Sequence, residues 1–223
     1  MNDAFYVAGI DFSLAKVDVI VTKHETKEKI LLIVAKENHK FDILAGRDNL
    51  MLEIENYFTN LPSKIRSYLP VGSEINYAFR VASAGFEIGG SQIKWSEKDR
   101  IDENVLNIYQ QFLGIIKLIF LKKQISVNYY SSRFVSFFFY RELKYSVAAL
   151  RLAMYTQFTK GFTQSGQTMA YAIALIESLR IKILYKRGIH LAFTTDQTKL
   201  MKLYLEKERI PEDYVFAFNK IEE

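Results

Sequence analysis

Three apolar runs crowd the first thirty-six residues, and the connections between them are too short for anything but antiparallel neighbours. "FYVAGIDF" from Phe5, "KVDVIV" from Lys16 and "KILLIVAK" from Lys29 to Lys36 are rich in β-branched and aromatic residues, and only "SLA" and a polar stretch containing "ETKE" separate them. A parallel pair needs a crossover of a dozen or more residues, so two or three strands joined by tight turns are predicted.

The period then changes. "DNLMLEIENYFTNL" offers Asp48 as an N-cap and spaces Leu50, Leu52, Ile54, Tyr57 and Phe58 along a helix that Pro62 should close. "EINYAFRVA", Glu74 to Ala82, is the next strand. After the charged loop "SEKDRIDEN" comes a long apolar helix from about Asn104 to Lys123, then the strand "QISVNYYSS", then a stretch from Arg133 to Leu184 that is helical throughout. The order β-β-β-α-β-α-β-α-α predicts an α/β fold of three layers, a five-stranded mixed sheet with helices on both faces. With 223 residues and 49% hydrophobic content, one such domain over residues 1–194 with a helical extension over 195–223 fits better than two full domains. No internal repeat or low-complexity segment interrupts it.

Composition removes several functions. With no cysteine, disulfides and thiolate metal sites are excluded, and His24, His39 and His190 are too scattered for a histidine-built zinc site. The start "MNDAFYVAGIDFS" has no charged n-region or long apolar run, so an intracellular, cytoplasmic protein is expected. Asn104 to Lys123 is interrupted by Asn107, Gln110, Gln111 and Lys117, short of the ~18 consecutive apolar residues of a membrane span, so no membrane partner is expected. Net charge is only +5, but from Asn104 to Phe193 twelve Lys and Arg stand against Glu142 and Glu177. Such an excess attracts phosphate backbones. Lys122, Lys123, Arg133, Arg141, Lys144 and Arg151 are the candidates for nucleic-acid contact.

Phe134, Phe137, Phe138, Phe139 and Tyr140 form a second candidate. Three adjacent phenylalanines cannot all face one core from a regular helix or strand, so at least one is expected at the surface or against another chain. Local packing, stacking on splayed bases beside Arg133 and Arg141, and a protein interface are the three readings open to the cluster.

Four stretches carry a resemblance: "GIDFS" ending the first strand, "NYAFRVASAGFEIG" around the fourth, "YQQFLGIIKLIFLKKQISV" for the long helix into the fifth strand, and "AYAIALIESL" in the last core helix. In this order and spacing the chain resembles the RuvC-like Holliday-junction nucleases of the RNase H superfamily, especially divergent phage-borne versions, from about Val7 to Leu184. The resemblance implies an RNase H-like fold, pairing of two copies through the long helix, and a site where four carboxylates hold two divalent cations. The first acid falls on Asp11, the second on Ile75, and the third and fourth on Gly166 and Met169 of "GQTMAYAIALIESL".

Asp11 is therefore the sole retained acid, and with its partners missing it reads as a turn cap or a partner of local backbone amides, a residual metal role being the alternative. Glu74, beside Ile75, points to the opposite strand face, and Glu177 lies too far along the last helix. Ile75 and Met169 are expected to fill the metal space. The reading that follows is a catalytically silent RuvC-like protein of phage or mobile-element origin. It would be homodimeric, without metal or other cofactor, and would act on branched or structured nucleic acid or within a protein assembly. The alternative is a structure-selective endonuclease with a rebuilt Mg²⁺ site, Asp11 joined by Glu97, Asp99, Asp102 and Glu103 of the charged loop.

Overall fold

Residues Phe5–Phe12 form β1, which turns through Ser13, Leu14 and Ala15 into the antiparallel β2, Lys16–His24. Ser13 and Lys16 exchange backbone hydrogen bonds at that turn, and the Ser13 hydroxyl donates to the Lys16 carbonyl. β3, Leu32–Lys40, pairs antiparallel with β2 and completes the meander. The computed structural model describes residues 4–25, 32–81, 101–142, 146–185, 187 and 193–207. β4, Ile75–Val81, lies parallel to β1, and β5, Val127–Ser131, lies parallel to β4. The sheet order is β3-β2-β1-β4-β5, the mixed five-stranded arrangement expected.

Helices cover both faces of this sheet. On one side lie α1, Arg47–Ser67, and α2, Ile101–Lys122. There Ala8, Ile10, Phe12, Val17 and Val19 of the sheet pack with Ile54 and Phe58 of α1 and Tyr109 and Phe112 of α2. On the other lie α3, Ser132–Tyr140; α4, Val147–Phe158; α5, Ser165–Leu184; and α6, Thr195–Lys207. They bury Ile20, Ala78 and Tyr130 of the sheet. Burial on both faces explains why β1 and β2 read as continuous apolar runs instead of alternating.

α5 is the central helix of that second layer, and its sides are buried from Thr168 to Leu179. It sits directly on β1 at Gly9, where a Cβ would stand 2.0 Å from the Ala170 carbonyl oxygen and 2.8 Å from the Ala174 nitrogen. Only glycine permits that approach.

Three local expectations are corrected. Gly46, at φ 87°, precedes α1 as its N-cap, and Asp48 sits in the first turn, where its charge complements the helix dipole. Pro62 does not end α1, which continues to Ser67. An interior proline costs about 3 kcal/mol, but the buried stripe Leu50, Ile54, Phe58, Leu61, Ile65 runs straight through it, and burial of that stripe outweighs the local penalty. The stretch from Arg133 to Leu184 is three helices, because Arg141 (φ 62°) and Thr159 (φ 52°) adopt left-handed conformations that stop α3 and α4. Leu200 and Met201 of α6 are fully buried in the second core. No helix among the described residues is long and apolar enough to cross a membrane.

Candidate functional site

Asp11 stands at the end of β1, on the face that carries Gly9 towards α5. The hairpin register places Asp18 of β2 directly opposite. Above both lies the first turn of α5, and a Cβ on Gly166 would meet Asp18 Oδ2 at 1.9 Å and Asp11 Oδ2 at 3.1 Å. The two carboxylates therefore converge on the point where an acid in place of Gly166 would begin.

Two cations answer them. Arg80, near the end of β4 and 3% exposed, brings Nε to 2.5 Å from Asp11 Oδ1, and Lys16 Nζ lies 2.9 Å from Asp18 Oδ2. Arg80 also acts on the Asp11 carboxylate as a hydrogen-bond donor, whereas the Asp18 oxygens are answered by the Lys16 charge. Burial pushes the Asp11 carboxyl above its ordinary pKa; Arg80 draws it down, Asp18 pushes it up, and Lys16 draws it down again.

This donor set does not fit a pair of divalent cations. Two hard cations need several converging carboxylates, whereas here two acids are already offset by a guanidinium and an ammonium. Among the described residues no group of three or more His, Asp or Glu side chains could hold a metal. The acids of the rebuilt-site alternative cannot be placed, since Glu97 and Asp99, and the side chains of Asp102 and Glu103, lie outside the described residues.

The assignment of Ile75 to the metal space is overturned. Ile75 pairs with Tyr6 at the far end of β1 and packs against the α1–α2 core, on the opposite face of the sheet from Asp11. The β4 residue that reaches Asp11 is Arg80, five residues later. Met169 is buried in the apolar core beneath α5. Glu177 is fully buried as well. It accepts from Asn128 Nδ2 (2.9 Å), Tyr130 OH (2.6 Å) and the Arg180 guanidinium (2.7 and 2.8 Å). Asp18 and Arg80 escaped the sequence reading. The one signal each offered was a charge inside an otherwise apolar strand.

Lys122 and Lys123 are exposed just before β5, whereas Arg133 is exposed just after it, at the end where Asp11 lies. A five-residue strand separates these groups by roughly 16 Å. Arg141 pairs with Asp196 at 3.4 Å and lies over the Phe137 ring, and Arg151 donates to the Thr163 carbonyl at the approach to α5. Lys144 lies outside the described residues.

The phenylalanine cluster is internal. Phe134, Phe137 and Phe138 are 2%, 6% and 1% exposed, and Phe139 and Tyr140 are half-buried against the same core. Phe134 meets Tyr130 and Tyr204, Phe138 meets Phe193, and Phe139 meets Phe158. The Tyr140 hydroxyl donates to Ser136 Oγ and accepts from the Ser146 amide. The expectation of an exposed ring fails because α3 is flanked by α4, α5 and α6, which give it apolar neighbours on several sides.

No protein-family model matches the chain, and no curated protein matches it in sequence. Among solved structures it is similar to Thermus thermophilus RuvC, with 15% identity and a TM-score of 0.55 over 84% of this chain and 100% of that one. It is likewise similar to T. thermophilus RuvC in complex with a Holliday junction substrate, with 14% identity and a TM-score of 0.55 over 80% and 96% of the two chains. The chain therefore has the RuvC-type, RNase H-like fold.

Proposed function

We propose that this is a RuvC-like protein that binds nucleic acid without cutting it, serving as a binding or architectural component. The observation that carries the reading is Arg80, buried and paired with Asp11 at the end of β1. A guanidinium there supplies the positive charge that a nuclease of this fold takes from metal ions, but it can neither coordinate and acidify an attacking water nor accept that water's proton. Gly166 above Asp11 and Asp18 supports the same conclusion. Nucleic acid as the ligand rests on the fold likeness, one of whose members was solved with a Holliday junction substrate, and on the exposed cations Lys122, Lys123 and Arg133.

Homodimerisation through α2 belongs to the same proposal. Leu118 and Leu121 of that helix are 49% and 72% exposed. Among the described residues nothing lies within 4 Å of where a Gly114 Cβ would stand, which leaves room for a partner helix.

The test is incubation with four-way junctions, single strands and RNA in excess Mg²⁺ or Mn²⁺, together with retention of the same probes at low and moderate salt. Retention that weakens steeply with salt, without cleavage, is expected. Cleavage that disappears in Asp11→Asn would overturn the silent site. Absence of retention at low salt would overturn nucleic acid as the ligand.

A further inference from the structure

β3 is an edge strand of the sheet, and among the described residues its outer edge receives no backbone hydrogen bond. A groove of about 410 Å³ runs along this edge. One wall is five consecutive residues, Leu32 to Lys36, and the other is Lys160 to Phe162, between α4 and α5. Successive side chains of a strand point to opposite faces. A groove touched by five in a row is therefore lined by the strand's backbone edge as much as by its side chains.

Most exposed edges are protected by charge, proline or brevity. This one is charged only from Lys36 onward; its first four residues, Leu32 to Ala35, carry neither charge nor proline and leave Leu32 46% and Val34 36% exposed. Its pairing with β2 shifts between Val21 and Thr22, where Val21 faces Ala35 and Thr22 faces Ile33. Val34 is thus the extra residue of a bulge. Ile33 packs towards the α5 side and Ala35 towards the α1–α2 side, and the bulge tilts the edge at the middle of the groove.

Among the described residues the charges lining the groove have one sign, Lys36 and Lys160. Phe162 is not open to a base: Lys36 Nζ lies over its ring at 5.2 Å, and the Tyr171 ring stands 5.2 Å away. An aromatic engaged in this way favours a peptide over a stacked nucleobase.

We propose that the β3 edge is a docking site for an extended segment of another protein, about five residues long, that alternates apolar and acidic side chains and adds as a sixth strand. Backbone hydrogen bonds to residues 32–36 hold it, its apolar side chains lie on Leu32 and Val34, and its carboxylates meet Lys36 and Lys160. The site is independent of whether the chain binds nucleic acid.

The probe is a fluorescent heptapeptide of alternating Glu and Val, with three controls: the Lys–Val counterpart, the same Glu–Val peptide N-methylated at alternate residues, and a dT oligonucleotide. Saturable binding of the Glu–Val peptide is expected, at least tenfold weaker after N-methylation. It should also weaken at least tenfold in the surface variant Lys36→Glu/Lys160→Glu, whose fold is checked by circular dichroism. Equal binding of the Lys–Val peptide, indifference to N-methylation, competition by the oligonucleotide, or a self-association abolished by the double variant would each overturn the proposal. A double variant that misfolds leaves the N-methylation comparison to decide.

Discussion

Two buried acid–arginine clusters sit at opposite ends of α5, and they are built differently. At Glu177 each carboxylate oxygen accepts two hydrogen bonds, shared among Asn128, Tyr130 and Arg180. At Asp11 and Asp18 the charges are matched, by Arg80 and Lys16, but no comparable set of four hydrogen bonds surrounds either carboxylate among the described residues. A buried ion is tolerated when its lone pairs are filled, and one left incomplete carries an uncompensated desolvation cost. The first cluster is what folding alone would select. The second sets two facing acids beneath the first turn of α5 and offsets them with an arginine and a lysine of the same chain.

Breaking the complete cluster should do most harm. Arg180→Met leaves Glu177 fully buried with two of its four hydrogen bonds gone, and loss of one partner of a buried pair costs about 3–5 kcal/mol. Urea unfolding measures this directly, and a loss below about 1 kcal/mol would show that the pair is solvated after all.

The same operation at the other end should cost less and be reversible. In Arg80→Met the Asp11 carboxyl, already pushed above its ordinary pKa, can retain a proton, so a loss of about 2 kcal/mol is expected. With the guanidinium gone, Asp11 and Asp18 leave a pocket that a divalent cation can enter by displacing the Asp11 proton. Millimolar Mn²⁺ should then raise the melting temperature of Arg80→Met while leaving wild type and Arg180→Met unmoved. If Mn²⁺ treats the three alike, Arg80 does not stand in the place of a cation.

Gly166 gives a smaller effect that separates the clusters by geometry. In Gly166→Ala the new methyl would press on Asp18 at 1.9 Å. Overpacking of this size costs about 1–2 kcal/mol. In an Asp18→Ser background the clash should vanish and helix propensity should take over, making the same substitution stabilising by up to about 1 kcal/mol. A cost unchanged in the double variant would place the crowding elsewhere.

These contrasts also explain what could be read from the chain before its structure. The strand order was legible because a period of two and a period of 3.6 look different and because tight turns force antiparallel neighbours. Asp11 was legible as a charge ending an apolar run. Asp18 and Arg80 were not, because only the strand register decides which polar residues face one another. Asp18 is set opposite Asp11 by a three-residue turn, and Arg80 is brought in from β4, sixty-nine residues along the chain. Ile75 was misplaced for the same reason: five residues along a strand change both the level and the face. The phenylalanines of α3 misled because the rings that bury them, Phe158, Phe193 and Tyr204, come from later segments.

The smallest expected effect is one of slope. The folded Asp11 carboxyl has its pKa raised above the ordinary 3.8, so with rising pH the unfolded chain releases this proton first. Asp11 therefore supports the fold fully below about pH 3.8, and that support is lost as pH rises through the folded-state value, with a slope of at most about 1.4 kcal/mol per pH unit in that window. Asp11→Asn has no proton to release there. The difference in unfolding free energy, wild type minus Asp11→Asn, should thus decline from pH 3.5 upward and then level off. Asp11 and Arg80 pair through charge, so the plateau at neutral pH should rise again as salt is lowered. A difference that grows with pH would mean that Arg80 outweighs burial and that the Asp11 cluster is as complete as the one at Glu177.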